Sequence, residues 1–211
     1  MHETRRLLES AAALSRLLQD SGIPHAFYGS VLSATLANSM HSDVGLFLAN
    51  VALILIVDSS YQEIYCIVEG GQNHPHPFRR VRDAVSGKED WASTHSPWTN
   101  RLHVTFRAFI PPIEIEILPA GETGPRHLDD SNVMKIQNVP FLNVSEFLRA
   151  KLNSWMIRGA ERDAHDIVYV LSRYWNRVDI NRLPEADMDR FVSRNSTAGP
   201  AWSALRRKYG M

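Results

Sequence analysis

Two pairs of side chains stand two residues apart in segments that read as strands. They are Glu63 and Tyr65 in "EIYCIVEG", and Glu114 and Glu116 in "PPIEIEILP". Residues two apart on a strand point to one face. Carboxylates so placed can share a divalent cation, which neutralises phosphate charge during phosphoryl transfer. Upstream, "FYGS" closes a short apolar strand with Tyr28–Gly29–Ser30, and a helix is expected over residues 31–38 with Ser30 as its cap. Strand, Gly-Ser turn, helix and acidic strand are the parts of a phosphate-handling metal site. The second member of the first pair, however, is a neutral phenol, a poor ligand for Mg²⁺. That leaves Glu63 with Glu114 or Glu116 where three carboxylates are wanted, and Asp43 does not complete the set. The plain reading of Glu114 and Glu116 is the solvated face of an edge strand. No metal and no cofactor are expected.

Other reactive groupings are sparse. His74 and His76 lie two apart in the loop "QNHPHP", without the companions of a metal site, and no H-E-x-x-H helix occurs. No G-x-S-x-G elbow is present, so Ser30 reads as a cap rather than a nucleophile. Cys66 is the single cysteine, set in an apolar run where a buried, inert thiol is expected.

The elements that must carry these residues follow from periodicity. Leu7, Leu8, Ala11, Leu14, Leu17 and Leu18 recur at helical spacing until Gly22 and Pro24. "FRRVRDAV" reads as a helix behind the proline-stiffened loop, and "WASTHSPWTN" as a polar loop carrying two tryptophans. "RLHVTFRAF" alternates as a strand through Leu102, Val104, Phe106 and Ala108. The last third is helical. Asn143 and Glu146 form a capping-box pattern, Ala164, Ile167, Val168, Leu171 and Tyr174–Trp175 share a face, and Pro184 opens a further helix. Strands first and helices after predict an α/β (α+β) mixed-sheet core over residues 1–142, with a helical part over 143–211 packed on it.

Composition narrows the function classes. The chain has 211 residues, 44% of them hydrophobic with five tryptophans, enough for a sizeable core. Lys+Arg and Asp+Glu both number 23, so the chain has no electrostatic footprint for nucleic acid or an anionic membrane. The cluster "FRRVR" at Phe78–Arg82 reads as a solvated helix face. One cysteine excludes an intramolecular disulfide. The longest apolar run, Val44–Val57, is shorter than the roughly 20 residues of a membrane span. A cytoplasmic protein is expected, of open oligomeric state.

The order of these parts resembles the nucleotidyltransferase-fold superfamily, and within it the antitoxin-like and AbiEii-like branch. The closing segment "FLRAKLNSWMIRGAERDAHDIVYVL", Phe147–Leu171, carries the branch's helical-pair signature of a Lys, Arg-Gly, Arg-Asp and Asp-Ile. The chain departs from the pattern at Glu63-Ile64-Tyr65, where Asp-x-Asp would fall, and in the apolar insertion Val44–Gln62. The blocks "SPWTNRLHVTFR", "IPPIEIEILPAGETGP" and "RAKLNSWMIRGAERDAHDI" are similar to a family of fungal proteins that includes a norbornene-forming Diels–Alderase of sordarin-type diterpenoid pathways.

That resemblance implies a metal-independent cyclase of fungal secondary metabolism. It would be an intramolecular [4+2] Diels–Alderase taking an apolar terpenoid in a cleft between sheet and C-terminal helices. Tyr65 is then the expected hydrogen-bond donor to a dienophile carbonyl, with Tyr28, Ser30 and His103 in reserve. Gly29, Glu63, Trp98, Phe106, Glu114, Glu116 and Trp155 would line the substrate. Arg101, Arg107, Lys151 and Arg158 would anchor a substrate carboxylate, while Arg162 and Asp163 hold the helical pair together. The alternatives are a non-catalytic binding module on a pseudo-nucleotidyltransferase fold and a residual Mg²⁺-dependent nucleotidyltransferase.

Overall fold

The computed structural model describes residues 2–39, 64–70, 75–98, 100–122 and 124–211. Asp43, the insertion Val44–Gln62, Glu63 and His74 lie outside the described residues. The fold is mixed α/β, with seven strands and seven α-helices among those residues. Backbone contacts divide it into two compact units, residues 1–119 with 137–139, and residues 120–136 with 140–211. No helix among the described residues is long and apolar enough to cross a membrane.

In the first unit, helix α1 (His2–Asp20) buries Leu7, Ala11, Leu14 and Leu18, as its spacing requires. The chain turns at Gly22 with φ +61°, a conformation open to glycine, and enters strand β1 (His25–Tyr28). Helix α2 (Ser30–Ser39) follows, then β2 (Ile64–Val68) and α3 (Pro77–Val85). Strands β3 (Trp91–Ser96), β4 (Arg101–Phe106) and β5 (Ile113–Pro119) complete the unit. Their order is β3-β4-β5-β2-β1; β2 and β5 run parallel and the remaining pairs antiparallel.

Two expectations need correction here. Residues 91–96 form a strand, paired with β4 over six residues, where a loop was expected. Lying outermost in this order and largely exposed on both faces, β3 has no apolar alternation to read. Strand β4 also ends at Phe106, short of Ala108.

Alternation sorts the two faces of this sheet. Phe27, Cys66, Ile113, Ile115, Ile117, Leu102 and Val104 are buried on one face. Helix α1 covers that face, its Ser15 reaching His25. His25 is buried with both ring nitrogens bonded. The Ile23 carbonyl, 2.8 Å away, can only accept, so Nδ1 carries the hydrogen and Nε2 accepts from the Ser15 hydroxyl at 2.9 Å. Burial lowers the His25 pKa, with the Ile23 hydrogen bond opposing in part. Because the folded value lies below the unfolded one of about 6.5, the unfolded chain takes up a proton first as pH falls. Stability is therefore complete above about pH 6.5 and declines toward the lowered folded value. Urea midpoints at pH 7.5 and 5.5 are expected to differ less in His25→Gln than in the parent; an equal drop in both would remove His25 as the cause.

Strands β6 (Val133–Ile136) and β7 (Val139–Leu142) follow, neighbours joined through Gln137 and Asn138 at φ +50° and +64°; residues 137–139 count with the first unit and the rest with the second. Positive φ at both turn residues is the two-residue turn that suits strand twist. Helix α4 (Val144–Arg158) is capped by Asn143, whose Oδ1 accepts the Glu146 amide at 3.0 Å. Only half of the expected capping box forms. The Glu146 carboxylate is buried and turned to Arg182 (2.8 Å) and Arg149 (2.6 Å) instead. Gly159 closes the helix at φ +64°, and α5 (Glu161–Tyr174), α6 (Glu185–Arg194) and α7 (Gly199–Lys208) follow.

Candidate functional site

On the face of the first unit's sheet opposite α1, a polar row runs beside a buried apolar one of Ala26, Ile67 and Leu118. Register places Tyr28 beside Tyr65, Tyr65 beside Glu116, Glu116 beside His103, and His103 beside Thr94. Five strands thus contribute one residue each to a single row, and partners in a row share a face. Tyr28 and Tyr65 stack, with ring centroids 4.9 Å apart and planes at 27°. Exposure rises along the row, from buried Tyr28 to half-buried Tyr65 and His103 and exposed Thr94.

The carboxylates on this face are engaged. Strand β5 lies between β4 and β2 rather than at an edge, and Glu116, largely buried instead of solvated, pairs with the guanidinium of Arg101. Glu114 Oε1 lies 2.9 Å from His103 Nδ1, although the pair lacks the alignment of a hydrogen bond. At the mouth of the β1–α2 turn, Gly29 adopts φ +102°, which a side chain would strain. Ser30 does not cap α2: its Oγ is buried with no hydrogen-bond partner among the described residues. The Gly29 carbonyl instead accepts the Leu32 amide at 3.0 Å, so Gly29 holds the position before the helix.

Three other expected residues of the first unit lie off this row. Phe106 is on the apolar face, packed on Trp91 and Phe109. Trp98 is almost fully exposed in the turn after β3, and Arg107 is exposed beyond the end of β4. Lys151, Trp155 and Arg158 belong to the second unit. Trp155 is core, edge-on to Phe191 at 4.9 Å. Lys151 Nζ is buried between Asp163 (3.1 Å) and Asp166 (2.7 Å), and Arg158 reaches Asp163 at 2.9 Å. Asp163 therefore does tie the two helices. Sequence reading overlooked Thr94, because its strand was taken for a loop, and it read Arg101 as a substrate anchor without seeing Glu116 as its partner.

No family model and no curated protein sequence matches the chain. Solved structures do. An antigenic nucleotidyltransferase-like protein from Paracoccidioides brasiliensis superposes with a TM-score of 0.58, covering 95% of this chain and 92% of that one at 13% identity. JHP933 from Helicobacter pylori gives 0.53, covering 100% of this chain and 96% of that one, also at 13% identity. The fold is nucleotidyltransferase-like.

A nucleotidyltransferase-like fold implies a divalent cation held by carboxylates. Among the described residues no three His, Cys, Asp or Glu side chains converge to hold one. Tyr65 stands beside Glu116 in the row, and the Glu116 carboxylate is already matched by a guanidinium. The described donors by themselves do not make up a ligand set for the metal.

Proposed function

We propose that the chain is a metal-independent cyclase that folds an apolar terpenoid intermediate for an intramolecular [4+2] cycloaddition. The observation that carries this reading is the stacked Tyr28–Tyr65 pair beside a carboxylate neutralised by Arg101. Half-buried Tyr65 offers this face ring surface and a phenolic donor. In the cycloaddition two C–C bonds form at the expense of π bonds; nothing leaves and no proton moves. Holding diene and dienophile in a reactive geometry lowers the barrier, and a hydrogen bond from Tyr65 to a carbonyl on the dienophile lowers it further.

One observation favours a second reading, a residual nucleotidyltransferase that uses Glu63. The buried Ser30 hydroxyl at the first turn of α2, without a partner among the described residues, suits a phosphate oxygen.

Two measurements separate the readings. The chain is incubated in EDTA with a synthetic terpenoid carrying a diene and an enal, and it is titrated calorimetrically with Mg²⁺–ATP and Mn²⁺–ATP. Cyclisation above the spontaneous rate in EDTA, with no nucleotide heat that depends on Glu63, is the expected result. Nucleotide binding that disappears in Glu63→Gln would replace the cyclase by the transferase. Binding of the enal without acceleration would make the chain a binding module.

A further inference from the structure

The basic cluster Phe78–Arg82 has no part in the tyrosine face. It lies on α3, whose cap is His76: Nδ1 accepts the Phe78 amide at 3.3 Å, which in the neutral ring leaves the hydrogen on Nε2. Beside it opens a pocket of about 380 Å³ lined by His76, Phe78, Arg79, Arg82, His95 and Asn100. That size is within the range of small-molecule sites. Among the described residues the lining holds two guanidiniums, two imidazoles and no carboxylate. Asp83 approaches Arg79 at 3.9 Å, but both side chains are largely exposed, so the pair is weak.

Arg79 and Arg82 stand three residues apart and share a helix face. Phe78 is half-buried, with the His76 ring edge-on at 4.8 Å and the His95 ring at 6.0 Å. The Arg79 and Arg80 amides are bonded to the His76 carbonyl. With the first amides of α3 engaged, anion recognition falls to side chains. By register His95 shares the face of Leu102, so the pocket is on the side of the sheet opposite Tyr28 and Tyr65.

We propose that this pocket binds a phosphate monoester carried on a planar ring system, the chemistry of a nucleoside 5′-monophosphate. Arg79 and Arg82 take the phosphate oxygens, His76 Nε2–H adds a donor, and Phe78 offers its ring to the base. A phosphate monoester carries about −1.5 to −2 charge at pH 7, which matches two guanidiniums; a single carboxylate does not.

Calorimetric titration of the full chain with AMP, adenosine and inorganic phosphate tests the proposal. AMP is expected to bind saturably and more tightly than either fragment. Arg82→Gln, an exposed position, is expected to weaken AMP about tenfold or more. Phe78→Leu is expected to weaken AMP while leaving inorganic phosphate unchanged. The proposal is overturned if millimolar AMP gives no saturable heat, if Arg79→Gln/Arg82→Gln binds AMP like the parent, or if phosphate alone equals AMP. Circular dichroism of each variant establishes that it is folded.

Discussion

Replacing Lys151 by methionine is expected to lower the stability of the second unit by about 3–5 kcal/mol. Lys151 is 2% exposed and its ammonium sits between Asp163 and Asp166, at 3.1 and 2.7 Å. Asp163 is fully buried, so deleting the ammonium strands its carboxylate away from water. Arg158 still reaches Asp163 at 2.9 Å, but that guanidinium is nearly half exposed and offsets the loss only in part. Methionine approximates the stem of lysine, so the loss is electrostatic rather than a cavity. The double variant Lys151→Met/Asp163→Asn removes both charges and should recover much of the stability, which isolates the pair from other effects. Urea midpoints of the parent, Lys151→Met, Asp163→Asn and the double variant measure this. A loss below about 1 kcal/mol in Lys151→Met would show that the cluster is as hydrated as a surface pair.

Tyr65→Phe is expected to slow turnover of the enal probe on the order of 10²-fold while leaving KM nearly unchanged. Phenylalanine keeps the ring that stacks on Tyr28 and loses only the hydroxyl. A donor whose bond strengthens as the carbonyl polarises acts on the transition state more than on bound substrate, hence the effect on kcat. Tyr28→Phe, at the more buried end of the row, serves as the comparison. Unaltered turnover in Tyr65→Phe, with the urea midpoint also unaltered, would assign the hydrogen bond to another group.

The parts legible in one sequence were those written in local periodicity. Ile113, Ile115 and Ile117 announced β5, and the leucines of α1 announced that helix, because burial on one face imposes a period. Strand β3 was illegible for the converse reason, since "WASTHS" is largely exposed on both faces. The β6–β7 hairpin was illegible because Gln137 and Asn138 take positive φ without the glycine that usually marks such a turn.

For the site, spacing showed that Glu114 and Glu116 share a face. It could not show that Glu116 stands beside Tyr65 on one strand and His103 on another. Lateral register is a property of pairs of strands, as is the meeting of Arg101 with Glu116. Lys151 and Asp163 are likewise twelve residues apart on different helices, and only packing makes partners of them.

Cys66 lies at the centre of β2 on the apolar face, fully buried, with burial pushing its thiol pKa up. A thiol so placed has neither the access nor the thiolate fraction to react with a maleimide. The folded chain is therefore a silent background for labelling, in which a cysteine introduced on the surface would carry a fluorophore or spin probe alone. In the unmodified chain, modification of Cys66 can proceed only as fast as the middle of the sheet opens, so its rate is a clock for that opening.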